Sequence, residues 1–236
     1  MYPEIAAEPK HPRLTELPIP SVAEVGPNRI VAIDFETATT ARASACSIGM
    51  AWIADGRVTH RAYRLIRPRC APQTWCFGYI HGLYPKDVAE AAEFPEIWEE
   101  LRPHLEGALV LAHNASFDMG VLRESLALYG LETPAMRCMC TLVAARRVWT
   151  DMASFRLPLV AERVGFAFDH HHALEDAEAS AVIALGALDR CGVADFDALA
   201  ETIGIRIGQM AEGVYVSSVG ARPKAAGWQR VAKVSI

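Results

Sequence analysis

The sequence has no excess of basic side chains. Its 23 basic residues are outnumbered by 28 acidic residues, and the formal charge at pH 7 is −5. This balance excludes a protein that attracts polyanions through a general positive field. Any nucleic acid must therefore be held locally, by metal ions and a few basic groups.

Long apolar runs, paired cysteines and dinucleotide-binding glycines are also missing. No stretch approaches the roughly 18 consecutive apolar residues of a membrane helix, and the first residues do not resemble a secretion signal. The six cysteines form no C-x-x-C pair, which argues against a disulfide framework. No G-x-G-x-x-G follows a predicted strand, which disfavours a nucleotide-dependent oxidoreductase. We therefore expect a cytoplasmic protein with no membrane contact.

The composition favours one domain with short extensions, because 236 residues that are 52% hydrophobic can form one substantial core. Residues 1–28 contain six prolines and predict an extended leader rather than a helix or strand. Residues 29–190 are expected to form the domain, and residues 191–236 a C-terminal extension. Its last part, residues 202–236, has a net charge of +4 and is interpreted as a solvated tail or a local contact for phosphates.

Hydrophobic patterns predict an α/β fold with a mixed five-stranded sheet flanked by helices. Apolar runs predict strands at 29–34, 46–54, 57–66, 108–112 and near 136–140, and helical spacing predicts helices from Phe94 and at 116–129, 141–149, 157–164 and 173–189. Asp55-Gly56 lies between the second and third strands and is a strong hairpin signal.

Two carboxylates end the first predicted strand. Asp34 and Glu36 are separated by one residue, so their side chains point to the same face of the strand. Like charges held together each tend to take up a proton unless a cation compensates them. Hard divalent ions with oxygen ligands, Mg²⁺ or Mn²⁺, supply that compensation. The pair alone is weak support, because two solvated acids at a strand end are common.

Two further segments carry polar groups at the start of a helix. His113-Asn-Ala-Ser-Phe-Asp118 follows a predicted buried strand, at the sheet edge where ligands gather in open α/β proteins. Asp169-His-His-His172 leads into the helix that contains Asp176. Neighbouring histidines cannot easily bind one ion together, which disfavours zinc. His171 and Asp176 can face one cleft, and the pKa of histidine suits proton removal near neutral pH.

Taken together, Asp34-Phe-Glu-Thr37, His113-Asn-Ala-Ser-Phe-Asp118 and His171-x-Ala-Leu-x-Asp176 resemble, in order, the three motifs of the DEDDh 3′–5′ exonucleases, the proofreading-subunit-like family. The similarity covers about residues 29–190. It includes Ser44-Ala-Cys-Ser-Ile-Gly49, Ile80-His-Gly-Leu83 and Cys140-Thr-Leu142.

The resemblance implies a ribonuclease H-like fold and a complete catalytic set. Asp34, Glu36, Asp118 and Asp176 would bind two Mg²⁺ or Mn²⁺ ions, and His171 would be the general base. Thr37, Ile80, His81 and Asn114 would lie near the terminal nucleotide.

The expected reaction is hydrolysis of the last phosphodiester of single-stranded or frayed DNA, with release of nucleoside 5′-monophosphates. A paired end is disfavoured because it must first unstack. Two alternatives stay open. One is an exoribonuclease that trims RNA ends or short oligonucleotides, since the same motifs serve both nucleic acids and only contacts to the 2′-hydroxyl separate them. The other is a module that binds a polymerase or another replication protein through the leader or the tail, with secondary nuclease activity.

Overall fold

Three antiparallel strands begin the sheet in the computed structural model, which describes residues 14–26 and 29–220. Strands β1 (Ile30–Thr37), β2 (Ala45–Ala54) and β3 (Arg57–Leu65) pair in sequence order. The turn between β2 and β3 places Asp55 and Gly56 at φ of 51° and 70°. Positive φ at both central residues is the requirement of the tight hairpin turn that this dipeptide predicts.

Two parallel strands continue the sheet on the other side of β1. β4 (Leu109–Ala112) pairs with β1, and β5 (Met136–Cys140) pairs with β4. Since these three strands run in the same direction, their carboxyl ends share one edge of the sheet. Polar residues that follow the strands are brought together there.

The sheet has seven strands rather than the predicted five. β7 (Gly208–Ala211) pairs with β5 and β8 (Val214–Val216) pairs with β7, which gives the order β3-β2-β1-β4-β5-β7-β8. β6 (Ile205–Arg206) and β9 (Val219–Gly220) form a separate two-stranded sheet. The added strands are too short for their alternation to stand out in the sequence. The C-terminal extension therefore contributes strands to the main sheet.

Helices cover both faces of the sheet, and the predicted helices are confirmed within a few residues of their ends. They are α1 (Val22–Val25), α2 (Gly78–His81), α3 (Phe94–Leu105), α4 (Ser116–Tyr129), α5 (Thr141–Val148), α6 (Leu157–Arg163), α7 (Ala173–Cys191) and α8 (Phe196–Thr202). One core lies between the sheet and helices α3 and α4. A second core lies between the opposite face and helices α5 to α8. None of the described helices has the length and apolar character needed to cross a bilayer.

The described part of the leader contains a helix, which corrects the expectation of an arm without helix or strand. Ser21 and Glu24 cap each other around the single turn of α1, a reciprocal arrangement that favours a helix start despite the nearby prolines. Leu17 pairs with Tyr63 of the outermost strand β3 through two backbone hydrogen bonds of 3.0 and 2.9 Å. Residues 1–13, 27–28 and 221–236 lie outside the described residues, and 221–236 include four of the five basic residues of the tail.

Candidate active site

Side chains alternate along β1, and the alternation separates its core residues from its carboxylates. Ile33 and Phe35 point into the core with α3 and α4. Ala32 points into the opposite core, which α7 covers. Asp34 and Glu36 share the direction of Ala32, so both carboxylates face α7 at the carboxyl end of β1.

Helix α7 lies very close to the sheet at its first turn. A Cβ atom added to Gly49 of β2 would lie 2.1 Å from the Ala173 carbonyl oxygen, closer than any real contact. The absence of a side chain at Gly49 therefore lets the helix start against β2. This approach brings Asp176 to the β1 carboxylates: ligand atoms of Asp34, Glu36 and Asp176 lie within 4.8 Å of one another.

Asp118 reaches the same place from α4. The pairing between β1 and β4 ends at Ala32 and Leu111. Backbone N–H groups of β1 after Ala32 can therefore donate to side chains on the β4 side of the strand. The Phe35 N–H donates to Asp118 Oδ1 at 3.1 Å, and the Asp118 side chain is only 1% exposed. The fourth acidic residue of the motifs is thus fixed to the backbone between Asp34 and Glu36.

Burial and mutual repulsion make this cluster costly to ionise without a cation. Desolvation, followed by the charges of Asp118, Asp176 and Glu36, raises the pKa of Asp34 well above its ordinary value. Burial raises the pKa of Asp118 to about 7, against the lowering effect of the Phe35 N–H. A hard divalent cation compensates the repulsion among such carboxylates, and carboxylate oxygens are the ligands that it prefers. The donor set therefore fits a metal centre.

The three adjacent histidines occupy different positions around Asp176. His170 Nδ1 lies 3.1 Å from both Asp176 carboxylate oxygens. The His171 backbone N–H donates to Asp176 Oδ2 at 3.2 Å, and its imidazole stacks on that of His170 at 3.7 Å between ring centroids. His172 packs on the Tyr63 ring at 4.5 Å. His170 and His171, but not His172, therefore lie at the carboxylate cluster.

The four residues expected near the terminal nucleotide fall into two groups. Asn114 and Ile80 are exposed. His81 is only 2% exposed, and Thr37 is also buried. The Leu83 N–H donates to His81 Nδ1 at 3.1 Å, so His81 Nε2 carries the proton that it donates to the Thr37 carbonyl at 3.2 Å. The geometry thus gives His81 a role in holding the end of β1.

Sequence reasoning missed two side chains that fix the loops of the site. Arg42 donates to the carbonyls of Ser116 and Phe117 at 2.7 and 3.3 Å and so anchors the first turn of α4. His113 lies between the Phe155 carbonyl and the Thr141 hydroxyl, at 2.9 Å from each. His113 belongs to a quoted motif, which was a usable signal, whereas no pattern distinguishes Arg42 from other loop arginines.

Solved structures with a similar fold include nucleases. Exonuclease X in complex with 5′ overhanging duplex DNA superposes with a TM-score of 0.58 and 23% identity over 74% of this chain and 99% of that chain. The nuclease domain of 3′hExo, a DEDDh family member bound to rAMP, gives a TM-score of 0.55 and 16% identity over 68% and 91%. These likenesses confirm the ribonuclease H-like fold predicted from the motifs.

Sequence relatives include larger proteins. The 3′-5′ exonuclease DinG of Bacillus subtilis is 26% identical over 69% of this chain and 18% of its own length. The PolC-type DNA polymerase III of Streptococcus thermophilus is 32% identical over 43% of this chain and 7% of its own length. The chain thus spans less than a fifth of either relative. The family model RNase_T, described as an exonuclease, matches residues 31–184. The chain therefore belongs to this exonuclease family and, by its three motifs, to the DEDDh type.

Proposed function

We propose that the protein is a metal-dependent 3′–5′ exonuclease that removes nucleotides one at a time from single-stranded or frayed DNA ends. The observation that carries the proposal is the convergence of four carboxylates and an imidazole at one sheet edge. Asp34, Glu36 and Asp176 lie within ligand distance of one another. Asp118 accepts the Phe35 N–H at 3.1 Å, between Asp34 and Glu36, which supports its assignment to the same cluster. His171 is bound to Asp176 through its backbone.

The four carboxylates would hold two divalent ions, Mg²⁺ or Mn²⁺. Such ions supply charge neutralisation at the phosphate and make a water molecule more acidic. His171 accepts the proton of the attacking water. The water oxygen bonds to the last phosphorus, the bond from phosphorus to the 3′ oxygen of the preceding nucleotide breaks, and that oxygen takes up a proton from solvent water, while His171 returns its proton to solvent. The product is a nucleoside 5′-monophosphate.

The remaining predicted residues form the walls around the terminal nucleotide. Ile80 and Asn114 have exposed side chains that can touch the nucleotide directly. Thr37 continues the strand that carries Asp34 and Glu36, and His81 holds the Thr37 carbonyl in place. In this proposal Thr37 lies beside the terminal sugar, and His81 is a positioning residue.

DNA is preferred as the substrate because sequence relatives include a DNA polymerase, and a structure of similar fold, Exonuclease X, is bound to duplex DNA. RNA is the second candidate, since an equally similar structure is a 3′-exonuclease that recognises the 3′ end of a histone mRNA stem-loop, with a TM-score of 0.59. A polymerase or another replication protein is a candidate partner, because the PolC relatives carry the similar segment within a polymerase. The basic tail, residues 202–236 with Arg222 and Lys224 among its basic residues, would then add phosphate contacts.

The test uses DNA and RNA strands of the same sequence, each with a free or a blocked 3′ end. With Mn²⁺, wild-type protein is expected to release 5′-mononucleotides from free 3′ ends only, and excess chelator should stop the reaction. Asp34→Asn should abolish cleavage. Glu175→Gln is the matched control on α7, since a glutamine retains an acceptor for the Asp169 N–H that Glu175 binds. Cleavage of blocked ends, or full activity in chelator, would contradict the proposal.

A further inference from the structure

An exposed aromatic surface lies beside the candidate active site. It consists of Tyr79, Ile80 and Tyr84, which are 79%, 38% and 47% exposed. The described residues include eight exposed large apolar side chains, and the two aromatic ones are both in this six-residue segment. Scattered single apolar residues are normal on a protein surface, whereas a concentrated group indicates a binding surface. We call this group the tyrosine surface.

The tyrosine surface is attached to the strand that carries the catalytic carboxylates. The Cys76 and Phe77 N–H groups donate to the Ala38 carbonyl at 2.9 and 3.4 Å. His81 Nε2 donates to the Thr37 carbonyl at 3.2 Å. Thr37 and Ala38 directly follow Glu36, so the segment that carries the tyrosine surface is attached at the end of β1 beside the candidate active site.

The segment also fixes the ring of Tyr84. A Cβ atom on Gly78 would lie 2.7 Å from Tyr84 Cε1, so the ring packs directly over the glycine. The Trp75 indole N–H donates to the Leu83 carbonyl at 2.9 Å, which ties the beginning of the segment to its end. A ring held in place before binding loses little conformational entropy when a ligand stacks on it.

We propose that unpaired bases next to the 3′-terminal nucleotide stack on Tyr79 and Tyr84. This inference rests on the proposed function and names the binding surface for the strand behind the cleavage point. The net charge of −5 provides little general attraction for a polyanion, so affinity must come from local contacts. Exposed aromatic rings offer such contacts, because every base has a face that stacks on them. A duplex end would have to unpair before using this surface, which explains a preference for frayed ends.

The experiment compares Tyr79→Ala and Tyr84→Ala with Tyr79→Phe and Tyr84→Phe. Leu128→Ala is the control, because Leu128 is also 47% exposed but lies near the far end of α4. KM and kcat are measured on a single-stranded oligonucleotide and on the same strand with abasic sites behind the terminal nucleotide. Each alanine variant should raise KM about 10-fold, the loss typical of one stacked base. The kcat of the two tyrosine-to-alanine variants should stay near the wild-type value. The Tyr79→Phe, Tyr84→Phe and Leu128→Ala variants should keep both KM and kcat near the wild-type values.

The abasic strand distinguishes stacking from a general structural defect. Wild-type protein should have a higher KM for the abasic strand than for the intact strand. On the abasic strand, the alanine variants should raise KM little further. Equal losses on both strands, or an unchanged KM on the intact strand, would overturn the inference and leave a protein partner as the occupant of the surface.

Two further measurements separate this inference from the proposed function. The p-nitrophenyl ester of thymidine 5′-monophosphate has no neighbouring base, so its hydrolysis should be equal in all variants. Binding of a fluorescent strand is measured by anisotropy in Ca²⁺, whose looser coordination poorly suits the reaction. Tyrosine-dependent binding without any hydrolysis in Mn²⁺ would refute the proposed function alone. Hydrolysis with binding that does not depend on the tyrosines would refute the stacking surface alone.

Discussion

At the residue scale, three consecutive histidines have three different environments. His170 contacts the Asp176 carboxylate with its ring, whereas His171 contacts it through the backbone. His172 lies against Tyr63 at the start of α7. His171 also has a φ of 66°, a left-handed conformation that asparagine tolerates better than alanine. Asparagine is therefore the substitution that tests the His171 side chain with least disturbance of its loop.

We predict that His171→Asn lowers the single-turnover rate by about 10²–10⁴, the usual contribution of a positioned proton acceptor. His170→Asn and His172→Asn are the matched controls and should lower the single-turnover rate far less. The measurement uses one 3′-ended strand at saturating Mn²⁺. A larger loss in His170→Asn would indicate that His170, the ring on Asp176, is the base.

The candidate carboxylates could be predicted from sequence, but the backbone hydrogen bond that holds Asp118 in place could not. Asp34 and Glu36 follow from strand alternation, and motif order identified Asp118 and Asp176. The bond from the Phe35 N–H to Asp118 depends on the point where β1 and β4 stop pairing. No local pattern encodes this point, because it results from the packing of distant segments.

At the scale of elements, the start of α7 depends on one glycine in β2. We predict that Gly49→Ala lowers both thermal stability and activity, since its Cβ would collide with backbone atoms of Ala173 and Leu174. Relief of this collision requires α7 to shift, which moves Asp176 away from β1. Melting temperature and kcat are the measurements.

Gly186→Ala on the same helix is the control. Its Cβ would lie 2.8 Å from Val164 Cγ1, so a side chain rather than backbone must shift, and alanine favours a helix over glycine by up to about 1 kcal/mol. We therefore expect this variant to remain active. If Gly49→Ala is as stable and active as Gly186→Ala, the close approach of α7 to β2 does not position Asp176.

Long elements were predictable, and short elements that depend on tertiary pairing were not. The hairpin at Asp55-Gly56 and helix α4 follow from their own turn residues and periodicity. The hairpin formed by β7 and β8 carries a weaker signal, because its strands have four and three residues. Gly208 lets β7 pack there, since a Cβ would lie 2.4 Å from the Val216 carbonyl oxygen. This requirement is visible only after the chain has folded.

For the whole molecule, the buried acids link stability to pH when divalent ions are absent. Burial raises the pKa of Asp118 from 3.8 to about 7, so between these values the folded state binds a proton that the unfolded state has lost. A folded state that binds more protons loses stability as pH rises. We predict that Asp118 lowers the metal-free stability between pH 4 and pH 7 by on the order of 2–4 kcal/mol.

Thermal unfolding in chelator across this pH range is the measurement, and Asp118→Asn is the control. Asparagine cannot ionise, and its side-chain oxygen can still accept the Phe35 N–H. Stability should therefore decline less with pH in this variant. Added Mg²⁺ should stabilise wild-type protein most at the upper end of the range, because a ligand of the folded state shifts the equilibrium toward it. Identical pH profiles for the two proteins would contradict the assignment.

The contact between the leader and β3 protects an edge strand and so bears on self-association of the protein. β3 is one of the two edge strands of the main sheet, and Leu17 occupies both backbone groups of Tyr63 while Glu16 accepts the Leu65 N–H. An uncovered outer strand pairs readily with the strand of another molecule, which is a common route to aggregation. A version shortened to begin at β1 would retain the four proposed metal-binding carboxylates but expose this strand. Its first defect would be edge-to-edge self-association rather than loss of chemistry.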